Sequence, residues 1–111
     1  MTDAAIEHVN ITVSDPAKTA QMLCEIFGWR VRWEGPSKMG GRTVHVGTEK
    51  DYLAVYTYDA VQKTQNSSYS VTGGLNHVGV VVDDLEAVEA RVKAAGHEPF
   101  NHGEYEPGRR F

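Results

Sequence analysis

Cysteine is almost absent from this sequence, and its scarcity excludes two kinds of stabilising site. Cys24 is the only cysteine among 111 residues, so neither an internal disulfide nor a paired-cysteine metal site can form. No apolar run approaches the ~20 residues that a membrane-spanning helix needs. The first ten residues also lack the basic and apolar regions of a signal peptide. We therefore expect a cytoplasmic protein with no membrane partner.

Clusters of positive charge are equally scarce. The chain has 11 Lys and Arg against 15 Asp and Glu, which gives a net charge of −4. Arg30 and Arg32 alternate in one short stretch. Arg109 and Arg110 lie near the C-terminus, and no basic stripe connects the two pairs. Nucleic-acid binding depends on Lys and Arg clustered near phosphates, so we expect no nucleic-acid partner.

The chain does contain an internal repeat. The segment EHVNITVSD at residues 7–15 matches NHVGVVVDD at residues 76–84, and His8 aligns with His77 at an offset of 69. A helical pattern of apolar residues ending at a glycine follows each segment. Such self-similarity indicates that one structural unit is used twice.

Helices are predicted at residues 16–27 and 85–95. Ser14 or Asp15 can cap the first helix. Pro16 suits its first position, because the amide there needs no hydrogen-bond partner.

Strands are predicted on both sides of each helix, from alternating patterns and turn signals. They cover residues 8–13, 29–34, 43–46 and 52–57 in the first unit, and residues 75–82 and 97–101 in the second. Together these elements predict one α+β domain over residues 1–111. Its parts are a strand–helix–strand–strand–strand unit at about 4–58, a polar linker at about 59–74 and a partial second unit at about 75–111. By the repeat, further strands are expected after Phe111.

Two βαβββ units, each with a histidine near the start of its first strand, resemble the vicinal oxygen chelate superfamily, also called the glyoxalase, bleomycin-resistance and extradiol-dioxygenase superfamily. The resemblance is carried by EHVNITVSDPAKTAQMLCEIFGWRVRW and LNHVGVVVDDLEAVEARVKAAG. Members include glyoxalase I, fosfomycin-modifying proteins and methylmalonyl-CoA epimerase. The resemblance implies a curved mixed sheet around a small-molecule cleft, with the second unit incomplete at its C-terminal end, and assembly as a homodimer.

The same resemblance implies a divalent metal ion (Fe, Mn, Zn or Ni) with His8 and His77 as ligands. The family's carboxylate in the fourth strand falls at Val55, which cannot coordinate a metal. The family's last glutamate would lie beyond Phe111. Two histidines and one carboxylate form a known site for Fe(II) or Mn(II). Two imidazoles alone would bind weakly, so a chain without the third ligand could lack the ion.

The cleft is predicted from strand alternation together with the resemblance. His8, Asn10 and Thr12 share the polar face of the first strand, and the resemblance directs that face toward the cleft. The alternative is a solvated outer face. On the fourth strand, Val55 and the residues two positions away on either side are expected to share the cleft face. The expected substrate-binding residues are Asn10, Thr12, Trp33, Leu53, Val55 and Thr57.

Several other residues have more ordinary predicted roles. Tyr52, Tyr56 and Tyr58 are expected in a half-buried core or a dimer interface. His45, His97 and His102 have no partner in the repeat, and a lone histidine is usually a surface or satisfied residue. We assign these three no role.

Three classes of function are compatible with these features. The first is an enzyme in which the metal polarises vicinal oxygens of the substrate, as an isomerase, a lyase or a ring-cleavage dioxygenase. The alternative is a metal-free protein of the bleomycin-resistance type that sequesters an apolar, aromatic small molecule. The third is a dimeric structural domain without chemistry. The residues do not identify a catalytic group.

Overall fold

A computed structural model describes residues 3–38, 40–61, 63 and 66–111. Its elements, in chain order, are β1 (His8–Thr12), α1 (Pro16–Phe27), β2 (Arg30–Pro36), β3 (Arg42–Gly47), β4 (Tyr52–Thr57), a 3-10 turn (Ser68–Ser70), α2 (Leu85–Ala94), β5 (Glu104–Glu106) and β6 (Arg109–Arg110). The predicted α+β class is confirmed. Neither helix in the described part of the chain has the length and apolar character that crossing a membrane requires.

The first five elements form the predicted βαβββ unit. They build an open four-stranded sheet in the order β1-β4-β3-β2. β1 runs parallel to β4, and the other neighbours are antiparallel. In this register His8 lies opposite Tyr52 and Trp33 lies opposite His45. Side chains from all four strands can therefore meet on one face.

Helix α1 begins and ends where its local chemistry predicts. The Asp15 side chain accepts a hydrogen bond from the Lys18 amide at 3.1 Å, and Pro16 occupies the first turn. At the other end, Gly28 has φ +71° and donates its amide to the Cys24 carbonyl at 2.9 Å. The left-handed backbone there favours glycine. The helix spans the predicted residues, with Asp15 rather than Ser14 as its cap.

The hydrophobic core lies between α1 and one face of the sheet. Its buried members are Ala20, Leu23, Val44, Val46, Leu53 and Val55. Val9 and Ile11 of β1 pack against this cluster and alternate with the exposed His8, Asn10 and Thr12. Burial of apolar surface contributes about 25 cal/mol per Å², so this face stabilises the unit. The opposite face carries polar and ring-bearing side chains.

The core contains two side chains that the sequence pattern assigned to the cleft. Val55 is 0% exposed and Leu53 is 8% exposed, and both pack in the cluster beneath α1. Thr57 follows on the same side of β4 by alternation. The predicted orientation of this face is therefore wrong. A shift of one residue in assigning a strand moves every side chain to the other face. In β4 the Leu53 and Val55 side chains face α1, and the tyrosines that alternate with them lie on the opposite face.

Strand β2 departs from the strict alternation predicted for it. Val31 pairs with Val46 and Trp33 pairs with His45, so Arg32 is the extra residue of a β-bulge. A bulge sets two residues against one on the partner strand and changes the direction of a side chain. Arg32 and Trp33, consecutive in the chain, consequently both contact rings on the face opposite α1.

The second unit repeats the helix of the first unit but not its strand pairing. The Asp84 side chain accepts from the Ala87 amide at 3.0 Å, as Asp15 does at the start of α1. Residues 75–82 and 97–101, both predicted as strands, form no regular strand. Within the described chain no segment offers them a hydrogen-bonded neighbour, which a strand requires. The strands of this unit are instead the short antiparallel pair β5 and β6.

The two units contact each other through their helices. Arg91 of α2 donates from Nε to the carbonyl oxygen of Ile26 in α1 at 2.6 Å. The predicted linker contains the 3-10 turn at Ser68–Ser70. Within that linker, Gln62, Thr64 and Gln65 lie outside the described residues.

Candidate functional site

Four rings lie in a line across the face of the sheet opposite α1. The ring centroids are 5.1 Å apart for Trp33 and His45, 4.6 Å for His45 and Tyr52, and 5.0 Å for Tyr52 and His8. These separations fall in the range of attractive ring contacts. We call Trp33, His45, Tyr52 and His8 the ring row.

The ring row follows from strand register. Its members come from β2, β3, β4 and β1 in turn, which are neighbours in the sheet. Adjacent strands are separated by about 4.8 Å. Side chains that lie opposite or diagonal to each other on one face therefore come into contact. The contacts of Tyr52 with His8 and His45 are stacked, and the Trp33–His45 contact is tilted at 54°.

Tyr52 is the centre of this arrangement. Its ring stacks on His8 at an interplanar angle of 16° and on His45 at 30°. The guanidinium carbon of Arg32 lies 4.1 Å from the Tyr52 ring centroid. A cation over the face of an aromatic ring is attracted by the ring's negative face. Arg32 is thereby held close to the ring row.

Glu7 forms hydrogen bonds with both members of the Tyr52–His8 pair. Its Oε1 accepts from the Tyr52 hydroxyl at 3.2 Å and lies 2.9 Å from His8 Nδ1. These hydrogen bonds from His8 and Tyr52 lower the pKa of Glu7, so the carboxyl group is ionised at neutral pH. A carboxylate at Nδ1 favours the tautomer with the proton on that nitrogen, which leaves Nε2 as the acceptor or ligand.

Burial shifts the pKa of the other two polar rings. It is the main cause that lowers the pKa of His45, with smaller contributions from the charges of His8 and Arg32. Burial also raises the pKa of Tyr52, aided by the hydrogen bond to Glu7. His45 and Tyr52 are therefore neutral at neutral pH. Arg32 and Glu7 supply the fixed charges beside the ring row.

The structure brings together only part of the predicted site. His8, Asn10 and Thr12 are exposed on one face of β1, and Trp33 lies in the ring row. His77, the second predicted metal ligand, belongs to a segment outside the sheet, with Nδ1 3.4 Å from the Tyr69 hydroxyl.

The metal donors expected from the resemblance do not form a complete centre. Within the described residues, no group of three or more His, Cys, Asp or Glu side chains converges to hold an ion. Val55, at the position expected for a carboxylate, is fully buried. His8, oriented by Glu7, is the one predicted donor that stands on the ring-bearing face.

Sequence reasoning missed Arg32, His45, Tyr52 and Glu7. Two of them carried a usable signal. His45 alternates with the core residues Val44 and Val46, and Tyr52 precedes the buried Leu53, so both must face away from the core. No local signal marks the bulge that directs Arg32 toward Tyr52.

Solved structures share the fold at low sequence identity. A glyoxalase/bleomycin resistance protein/dioxygenase domain from Frankia sp. EAN1pec has a TM-score of 0.75 and 19% identity, covering 94% of this chain and 83% of that one. A glyoxalase family protein from Enterococcus faecalis has a TM-score of 0.73 and 22% identity, covering 95% and 82%.

The fosfomycin resistance protein FosX from Listeria monocytogenes is a third structural neighbour. Its complex with Mn(II) and 1S,2S-dihydroxypropylphosphonic acid has a TM-score of 0.66 and 18% identity, covering 97% of this chain and 81% of that one. At these identities the likeness is one of fold alone.

The evidence for family membership does not depend on those structural similarities. No curated protein sequence is significantly similar to this chain. The model of the Glyoxalase/Bleomycin resistance protein/Dioxygenase superfamily, however, matches residues 5–109. With the βαβββ unit and the histidine-led repeat, this match shows that the chain belongs to the glyoxalase/bleomycin resistance protein/dioxygenase superfamily.

Proposed function

We propose that the ring row binds an aromatic small molecule and that this binding is central to what the protein does. The observation that carries the proposal is the exposure of the Trp33 side chain, which is 48%. Trp33 lies at one end of the ring row, and the other three rings stack on one another. An exposed, braced aromatic ring offers a stacking surface at little entropic cost. Asn10 and Thr12, exposed on β1, supply hydrogen-bonding groups near His8.

Calorimetric titration with 2-naphthol tests this proposal. The wild-type protein is expected to bind the probe. Trp33→Leu is expected to weaken binding by up to about tenfold, since one aromatic stacking contact contributes about 0.5–1.5 kcal/mol. Phe100→Leu is the matched control, because Phe100 is 78% exposed and lies outside the ring row. Absence of wild-type binding, or equal affinity in Trp33→Leu, would contradict the proposal.

The metal-dependent enzyme predicted from the sequence is a second candidate, favoured by the hydrogen bond between Glu7 and His8. Histidines that bind metals commonly donate their other ring nitrogen to a carboxylate. FosX, a structural neighbour, is described in complex with Mn(II). In this candidate His8 and His77 bind Fe, Mn, Zn or Ni together with a further ligand. The ion would supply polarisation of vicinal oxygens for isomerase, lyase or dioxygenase chemistry.

Metal analysis of dialysed protein tests the second candidate. If this candidate holds, a protein that includes the further ligand retains Mn or Zn, and His8→Ala loses the metal while keeping its fold. His97→Ala is the control, since His97 has no counterpart in the repeat. Equal metal content in wild type and His8→Ala would remove this candidate and leave the metal-free binding function.

We also propose that the protein is a homodimer. β1 and β2 are the edge strands of the main sheet, and the 75–82 segment exposes Leu75 at 49% and Val81 at 86%. Pairing would cover open strand edges and apolar surface. Light scattering at micromolar concentration is expected to give twice the 12.3 kDa chain mass, whereas a mass of one chain would contradict the dimer. The cytoplasmic location and the lack of a nucleic-acid partner stay predictions.

A further inference from the structure

We propose that the ligand of the ring row carries an oxyanion, as in an aromatic carboxylate, and that Arg32 binds this group. The inference rests on the proposed function, because it names the chemical class of the ligand for the same site. It assigns Arg32 the role of a specificity-determining residue.

The contrast among three neighbouring arginines supports this role. Arg30 forms an ion pair with Glu49 at 3.2 Å, and Arg42 forms one with Glu34 at 3.3 Å. Arg32, in the same strand as Arg30, has no carboxylate of the described residues within ion-pair distance. Of the three arginines, Arg32 is thus the one that contacts the ring row and the one whose charge is not neutralised by an ion pair.

The hydrogen-bond donors of Arg32 are not used by the described residues. The guanidinium carbon lies 4.1 Å above the Tyr52 centroid. A guanidinium presents its N–H groups in a planar fork that matches the two oxygens of a carboxylate. The bulge in β2 brings Arg32 and Trp33 to the same face. One ligand could then stack on Trp33 and place an oxyanion at Arg32.

The surrounding groups leave Arg32 as the fixed positive charge at the ring row. Glu7 is the negative group that interacts electrostatically with Arg32, and its Oε1 is already engaged by His8 and Tyr52. Because burial lowers the pKa of His45, this ring adds no positive charge at neutral pH. Discrimination between charged and neutral ligands therefore depends on Arg32.

Paired probes test the inference. We compare 2-naphthoate with 2-naphthamide, a neutral molecule of similar shape, by calorimetry with the wild-type protein and with Arg32→Gln. The wild-type protein is expected to bind naphthoate about tenfold more tightly than naphthamide, a preference typical of one charge-assisted pair. Arg32→Gln should remove that preference, so that naphthoate affinity falls by more than naphthamide affinity. Arg30→Gln is the matched control from the same strand and should behave as wild type.

The outcomes separate the inference from the function on which it rests. Equal wild-type affinity for the two probes, or an equal loss of both in Arg32→Gln, would overturn the role of Arg32 and leave aromatic binding intact. Binding of neither probe by wild type would overturn both. A preference for naphthoate that is lost in Arg32→Gln but kept in Arg30→Gln establishes the oxyanion site.

Discussion

Replacing Val55 with glutamate is expected to destabilise the protein strongly rather than to supply a metal ligand. Val55 is 0% exposed and packs in the core cluster beneath α1. It pairs with Ile11 on one side and Val44 on the other, in the middle of the sheet. A carboxylate buried there without a partner costs several kcal/mol. Since domains of this kind are stable by about 5–15 kcal/mol, most of that stability would be lost.

Urea denaturation followed by circular dichroism measures this effect. Val55→Ala, which removes two methyl groups, should cost about 1–3 kcal/mol and retain a cooperative transition. Thr12→Glu introduces the same carboxylate on the exposed face of β1 and should cost less than about 1 kcal/mol. A Val55→Glu protein with near-wild-type stability would show that this side of β4 does not face the core.

Replacing Tyr52 with alanine is expected to reduce the affinity for 2-naphthol by about a hundredfold, or about 2.7 kcal/mol. The substitution removes the ring that contacts His8, His45 and Arg32 at once. It also removes the hydroxyl that donates to Glu7. Trp33 would keep its place, but the row behind it would lose its central support.

Tyr52→Phe is the matched control for this prediction. It keeps the ring and removes only the hydrogen bond to Glu7, so affinity should change by about threefold or less. Thermal unfolding of both variants shows whether the fold is retained, and Tyr52→Leu provides a bulkier alternative if the alanine variant is unstable. A folded Tyr52→Ala protein with wild-type affinity would mean that the ring row has a purely structural role.

The sequence by itself determined the parts of the fold that depend on local chemistry. Asp15 and Pro16 start α1, and Gly28 ends it, because capping and left-handed backbone are properties of those residues themselves. Alternation along β1 correctly separated exposed His8 from Val9 in the core. The histidine-led repeat likewise indicated the superfamily, since it is a property of the chain order alone.

Only the tertiary structure decided which groups meet at the candidate site. The face of β4 that packs on α1 is set by contacts between distant segments, so Val55 was placed in the cleft when it belongs to the core. The bulge that directs Arg32 onto Tyr52 arises from pairing between β2 and β3. His77 lies outside the sheet because a strand forms only where a partner supplies hydrogen bonds. Pairing partners and covered faces are non-local properties, and no short sequence pattern encodes them.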